Sequence, residues 1–309
     1  MGTDENSAAK EKKNAAFLSL LAAIFLTAAK LAAGIYTNSL GILSEALHSA
    51  LDLLAALVTM FAVYISLIPA DKKHTYGHGK IENISALAES MLLLITCAWI
   101  FYEALGRLTG KDAPVKMSVW ALVVMGLSIV IDISRTRNLM KVAKKHNSQA
   151  LEADALHFSS DILSSSVVII GLISIWLANY APERFFIKTV LLNADSFAAL
   201  IVAVIVVFMS IKLSTKAVSA LMDSIRPEDL AMLEKSVMNT LGVVRISRLR
   251  LRQSGDESFI DMKIVIPFDY SLQEAHNVTK DVEEKICAIL PKADVTVHYE
   301  PEGQADDNV

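Results

Sequence analysis

Six apolar stretches, each long enough to cross a lipid bilayer, constrain the fold of this chain more than any other feature. A membrane-spanning helix needs about 20 predominantly apolar residues to cross ~30 Å of hydrocarbon. Hydrophobic residues make up 53% of the 309 residues, and the mean hydropathy is +0.45. A soluble chain of this length rarely reaches both values. The predicted spans are residues 14–36, 40–68, 83–106, 117–138, 152–178 and 194–214.

The distribution of Lys and Arg around these spans predicts their orientation. Segments on the side of the N-terminus carry eleven Lys and Arg residues near the spans, against five on the opposite side. Cytoplasmic loops of membrane proteins carry the excess of positive charge. We therefore expect a multi-pass integral membrane protein in contact with lipid, with both termini cytoplasmic, in the inner membrane if the source is bacterial. Residues 1–13 are expected to form a disordered cytoplasmic tail.

The composition changes at about residue 225, after a transmembrane domain predicted over residues 14–224. The following segment reads as helix, strand, strand, helix, strand, over residues 228–241, 243–253, 257–266, 271–290 and 293–299. This order predicts a small α+β domain with an antiparallel sheet over residues 225–301. Residues 302–309 are expected to be a disordered tail.

The second and fifth predicted spans carry the same pair of side chains, His48 with Asp52 and His157 with Asp161. Residues four apart share one face of a helix, so each span presents an imidazole beside a carboxylate. Four such nitrogen and oxygen ligands suit a tetrahedral divalent ion such as Zn2+. The alternative is that the pairs only hydrogen-bond neighbouring helices. Because ionisable groups in a membrane are costly and the pair occurs twice, the pattern favours a metal site.

In these features the chain resembles the cation diffusion facilitator family of divalent-metal/proton antiporters, over about residues 14–301. The resemblance implies an all-α six-helix transmembrane bundle, followed by a C-terminal α+β ferredoxin-like (αββαβ) cytoplasmic domain. It also implies a homodimer that exports cytoplasmic Zn2+ in exchange for protons by alternating access.

The resemblance places the transport site at His48, Asp52, His157 and Asp161. Two histidines and two aspartates are similar to the zinc-transporting members, whereas iron-linked members often carry Asp where His48 stands. Zn2+ is therefore the expected ion, with Cd2+, Co2+ and Fe2+ as alternatives. Glu45, one turn from His48, is a candidate for receiving protons or the departing metal, or else a partner for a polar group of another helix.

The resemblance also implies two features near the predicted membrane surface. Asp71, His74 and His78, in the loop after the second span, match a second and solvent-accessible metal site, although an ordinary basic loop is the alternative. Lys80 and Asp223 match a charge network of the family's dimer.

His276, His298 and Glu300 occupy positions that hold metal in related cytoplasmic domains. Two other ligand positions are Ser247 and Lys263, and the ammonium group of a lysine has no lone pair to donate. At most a single-metal site is expected here, and the alternative is a dimerisation domain with His and Glu on its surface.

Other classes of function lack a matching pattern in the sequence. The chain has no HExxH, GxSxG, Walker-type or Rossmann glycine motif, so no enzyme is predicted. A net charge of −4 gives no indication of nucleic-acid binding. A membrane metal sensor that moves no ion is the main alternative to a transporter.

Overall fold

The computed structural model describes residues 2–37, 40–108, 119–178 and 194–303. Six long helices come first in these residues: α1 (Gly2–Thr37), α2 (Leu40–Ser66), α3 (Ile81–Leu108), α4 (Val119–Lys145), α5 (Gln149–Ala178) and α6 (Ala194–Leu221). They are followed by α7 (Pro227–Met238), β1 (Arg245–Ser254), β2 (Glu257–Ile266), α8 (Leu272–Ile289) and β3 (Ala293–Pro301). The chain divides into two compact units, one of Met1–Leu67 with Ile81–Ala217 and one of Ile68–Lys80 with Val218–Val309.

Four helices are long and apolar enough to cross a membrane, judged by length and composition within the described residues. The segments are Asn6–Tyr36, Ala46–Ser66, Ile81–Trp99 and Leu200–Leu221. Charged side chains occur along the described parts of α4 and α5, which do not meet this criterion. The structure therefore confirms a helical N-terminal region with several apolar helices, and six membrane spans remain a prediction.

The prediction of a disordered tail over residues 1–13 is wrong for the described residues 2–13, which form the first turns of α1. Two of their side chains, Glu11 and Lys12, have distant partners. Lys145 at the end of α4 donates to both carboxylate oxygens of Glu11, at 2.7 Å each. The buried Lys12 lies 2.9 Å from Glu82 on α3. These ion pairs hold the polar first turns of α1 against α3 and α4. Such long-range contacts are not visible in the local composition.

Small residues line the interior of the helical unit. Its largest buried cluster includes Ala15, Ala16, Ala62, Ala143, Ala150 and Ala155. Small side chains let helices approach closely, as is common in membrane proteins. Large apolar side chains are instead exposed on the outside, among them Phe25, Phe61, Trp99 and Phe208. This distribution is the one expected for helices surrounded by lipid.

The second unit contains the predicted order of helix, strand, strand, helix, strand, with a three-stranded sheet in the order β1-β2-β3. β1 pairs with β2 antiparallel. β2 pairs with β3 in parallel, so the prediction of an antiparallel sheet is wrong for this pair. Because α8 connects β2 to β3, the chain crosses back before β3 begins and both strands run in the same direction.

Helix α8 has a capped first turn and packs an apolar face against the sheet. The Ser271 hydroxyl accepts from the backbone N–H of Glu274, whose side chain accepts from the backbone N–H of Ser271, a capping box. Ala275, Val278, Val282 and Ile286 are buried on one face of the helix. After β3, Glu302 and Gly303 form a turn, and the rest of the predicted tail, 304–309, lies outside the described residues.

Candidate metal centre

The two His-Asp pairs meet between α2 and α5. The Nε2 atom of His157 lies 3.3 Å from Oδ1 of Asp52, and Nε2 of His48 lies 3.8 Å from Oδ1 of Asp161. Within each helix, the His and Asp side chains are 3.9 Å and 3.8 Å apart. Asp52 therefore faces His157, and His48 faces Asp161. This pairing shows that α2 and α5 run antiparallel at the centre.

The burial of the four side chains is uneven. His157 is only 4% exposed, whereas the His48 side chain is 43% exposed. The Nδ1 atom of His157 and Oδ2 of Asp161 have no hydrogen-bond partner among the described residues. Zn2+ holds nitrogen and oxygen ligands at about 2.0–2.2 Å, which places neighbouring ligands somewhat more than 3 Å apart. One ligand atom each of His48, Asp52 and Asp161 lies within 4.8 Å of the others. His157 is outside that group and lies 3.3 Å from Asp52 and 3.8 Å from Asp161, so enclosing one ion with all four residues requires rearrangement of the side chains.

Lys30 is a charged neighbour of this centre that the sequence reasoning missed. It is the only charged residue of the predicted span 14–36 and is 6% exposed in the structure. Its Nζ donates to Ser49 Oγ at 2.7 Å, and Ser49 is next in sequence to His48. An ionisable residue within a predicted span is itself a functional signal, and that signal was available in the sequence.

Two further buried carboxylates extend the polar interior from the four-residue centre. Glu89 on α3 accepts from Thr59, two turns after Asp52 on α2. Asp154, one turn before His157 on α5, accepts from Ser19 at 2.9 Å. One oxygen of each carboxylate has no hydrogen-bond partner among the described residues. Relative to the four-residue centre, Glu89 lies on the side of the C-terminal end of α2, and Asp154 lies on the side of the N-terminal end of α5.

In the second unit, the loop before α3 brings Asp71, His74 and His78 together. One ligand atom from each lies within 4.8 Å of the others. The Asp71 carboxylate is 3.4 Å from Nδ1 of His74 and 3.7 Å from Nε2 of His78. The backbone N–H groups of His74 and Lys73 each donate to it at 2.7 Å. The hydrogen bond from His74, followed by the one from Lys73, holds the pKa of Asp71 below its usual value. The ionised form of the carboxylate, which can bind a cation, is therefore favoured.

The three residues predicted in the C-terminal domain are not brought together within one chain. His298 Nε2 lies 3.5 Å from Oε1 of Glu300, but His276 is exposed on α8 and belongs to neither three-residue group found among the described residues. Lys263 Nζ lies 2.9 Å from the same Glu300 oxygen. Its hydrogen bond lowers the pKa of Glu300, so an ammonium already compensates this carboxylate.

The remaining predicted residues have different outcomes. Lys80 Nζ donates to Asp223 Oδ1 at 2.8 Å and to the Leu221 carbonyl at 3.4 Å, so the predicted pair forms within one chain. Asp223 has a left-handed backbone, with φ of 58°, which a non-glycine residue rarely adopts. The side chain of Glu45 lies outside the part of the chain that the structure describes.

Comparison with known proteins gives two family matches that together cover nearly the whole chain. Residues 16–222 match the family described as "Cation efflux transmembrane domain". Residues 225–302 match the one described as "Cation efflux protein, cytoplasmic domain". The chain belongs to the cation efflux family. Members of this family are transporters rather than enzymes. The protein is therefore a membrane-embedded cation efflux transporter. The predicted family and the prediction that the protein is not an enzyme are both confirmed.

Relatives of full length agree with membership of the cation efflux family. The "Cation-efflux pump FieF" of Cronobacter sakazakii is 30% identical over 288 residues, which cover 93% of this chain and 92% of that protein. The protein of the same name from Yersinia pestis is 31% identical over 294 residues, covering 94% and 92%.

Shorter solved structures also match. CzrB in its zinc form is 23% identical, covers 97% of its own chain and 27% of this one, and has a TM-score of 0.26. A MamM CTD is 19% identical, covers 92% of its own chain and 24% of this one, and has a TM-score of 0.23. At these TM-scores, neither structure contributes to the assignment.

Proposed function

We propose that this transporter exports Zn2+ from the cytoplasm in exchange for protons, with His48, Asp52, His157 and Asp161 as its transport site. The observation that carries the proposal is the meeting of these four side chains between α2 and α5. Two carboxylates balance the charge of a divalent cation in a poorly solvated interior. Two imidazoles favour Zn2+ over Mg2+ and Ca2+, which prefer oxygen ligands alone.

Proton exchange follows from the chemistry of these ligands. Imidazole and carboxylate bind a metal only when deprotonated, so protons and the metal compete for the same atoms. Free imidazole titrates near pH 6.5, within the range that a cell can impose across a membrane. Alternation between an inward-facing and an outward-facing conformation then exchanges one cargo for the other. Fe2+, Co2+ and Cd2+ are the alternative cargoes, because they accept similar donors.

Two further assignments belong to this proposal. Asp71, His74 and His78 form a second metal site, supported by the convergence of their ligand atoms and by the exposure of Asp71 and His74, which makes the site accessible to solvent. The protein acts as a homodimer with cytoplasmic termini, supported by its match to the cytoplasmic domain of cation efflux proteins. The Lys80–Asp223 pair belongs to the charge network at the dimer's membrane–cytoplasm junction.

Uptake into sealed vesicles tests the proposal. The purified protein, reconstituted with lipid, is expected to move Zn2+ when a pH gradient is imposed, and the double variant Asp52→Asn, Asp161→Asn is expected to move none. Asp281→Asn, on the exposed face of α8, is the matched control and should transport normally. Competition with Fe2+, Co2+ and Cd2+ determines the preferred cargo.

The same assay separates the proposed transporter from the alternatives. Binding of Zn2+ without any uptake would support a membrane metal sensor instead. Uptake that does not respond to the pH gradient would exclude proton exchange. Full uptake by the Asp52→Asn, Asp161→Asn variant would exclude the proposed site.

A further inference from the structure

The loop that carries Asp71, His74 and His78 is held by the β1–β2 hairpin through a stack of three side chains. The Arg252 guanidinium on β1 lies 3.4 Å from the centroid of the Tyr76 ring and 5.6 Å from that of Phe259. The Tyr76 and Phe259 rings meet edge to face, with centroids 5.0 Å apart. Arg252 and Phe259 are direct partners in the β1–β2 pairing. We name Tyr76, Arg252 and Phe259 the arginine clasp.

A close backbone contact lies next to the arginine clasp. A Cβ added to Gly79 would lie 2.5 Å from the Ser254 carbonyl oxygen and 2.6 Å from the Gly255 nitrogen. These distances leave no room for a side chain. Gly255 itself has a φ of +66°, which glycine adopts without strain. The loop and the hairpin turn therefore touch through their backbones as well as through the clasp.

We propose that Arg252, acting through Tyr76, is a positioning residue for the Asp71–His74–His78 metal site; this inference rests on the proposed metal binding at that loop. Tyr76 lies between the two histidines in sequence, so fixing its ring restricts the backbone that carries both imidazoles. Asp71 and His74 are exposed, and within the loop they are held by the backbone hydrogen bonds to Asp71 and by the contact of the His74 and His78 rings, whose centroids are 4.4 Å apart. Anchoring the loop to a paired strand lowers the entropy lost when its ligands close around a cation.

The contacts of Arg252 make the cation–π stack its main link to the loop. Its Nε atom is buried and has no hydrogen-bond partner among the described residues, whereas the guanidinium carbon lies directly over the Tyr76 ring. The loss of a cation–π interaction is expected to weaken Zn2+ binding by the loop about threefold to thirtyfold.

Zn2+ binding to the full-length protein in detergent tests the inference. The variants are made in the Asp52→Asn, Asp161→Asn background, so that the proposed transport site does not dominate the titration. Arg252→Ala and Tyr76→Ala are each expected to weaken the loop's affinity for Zn2+ about threefold to thirtyfold. Tyr76→Phe retains the ring and should stay within about twofold of the background protein, and Arg252→Lys should recover part of the loss.

Three comparisons separate positioning from a general loss of structure. Arg250→Ala is the matched control, because Arg250 lies on the same face of β1 two residues away and is exposed. Combining Tyr76→Ala with Arg252→Ala should weaken binding no more than the stronger single change, because both remove one interaction. Trypsin cleavage at Lys72 and Lys73 in the metal-free protein should be faster in Arg252→Ala than in Arg250→Ala.

Each contrary result has a distinct meaning. An affinity of Arg252→Ala equal to that of Arg250→Ala overturns the inference, even if its loop is cleaved faster, and so do additive losses in the double variant. If His74→Ala with His78→Ala leaves Zn2+ binding unchanged in the same background, the loop is not a metal site, and that part of the proposed function fails instead.

Discussion

The Nε2 atom of His157 on α5 lies 3.3 Å from Oδ1 of Asp52 on α2, although 105 residues separate them in the chain. Each helix contributes one imidazole and one carboxylate to this centre, so only the contact between the two helices brings four ligands together.

Changing one nitrogen ligand should change the preferred cargo. We expect His48→Asp to broaden selectivity from Zn2+ toward Fe2+ or Cd2+, because a third carboxylate replaces an imidazole that favours Zn2+. Vesicle uptake with the ions in competition measures the change. An unaltered preference for Zn2+ would show that His48 does not select the ion.

Removing the buried ammonium beside the centre should strengthen metal binding. Lys30 donates to Ser49, and its charge opposes a second cation nearby, an effect on the order of 1 kcal/mol. Lys30→Met is therefore expected to bind Zn2+ about three- to tenfold more tightly and to release it more slowly during transport. Lys30→Arg keeps the charge and serves as the control. Equal affinity in the two variants would argue against an electrostatic role.

The Lys263–Glu300 pair should make the stability of the C-terminal domain depend on acid pH. Because the pKa of Glu300 is lowered in the folded protein, the pair stabilises the fold above the unfolded pKa of about 4.3 and loses this effect as the pH falls through the folded value. Thermal unfolding between about pH 6 and pH 3 should therefore depend less on pH in Lys263→Met than in the parent. Lys280→Met, on the exposed face of α8, should behave like the parent.

A methyl group at Gly79 should release the loop from the hairpin. Its Cβ would overlap the backbone of Ser254 and Gly255, and backbone atoms cannot turn aside as a flexible side chain can. Gly79→Ala is expected to speed trypsin cleavage at Lys72 and Lys73 and to weaken Zn2+ binding by the loop. Gly126→Ala on α4, where a Cβ meets nothing within 4 Å, should change neither. Normal protection in Gly79→Ala would contradict the close contact.

The parts of the fold that depend on residues close together in the sequence could be predicted. Apolar periodicity and turn residues placed the elements of the C-terminal unit in their observed order. The parallel pairing of β2 with β3 was missed, because strand direction is decided by the path of α8 across the sheet. The helical start of α1 was missed as well, because Glu11 and Lys12 find their partners on α4 and α3.

For the site, the sequence by itself determined which side chains share a helix face, since the spacing of four in His48–Asp52 and His157–Asp161 is a local property of the helix. Only the tertiary structure decided that Asp52 faces His157, that Lys30 lies beside Ser49 and that Arg252 stacks on Tyr76. Helix contacts and loop docking join residues far apart in the chain, and their geometry is set by packing over the whole unit rather than by local spacing.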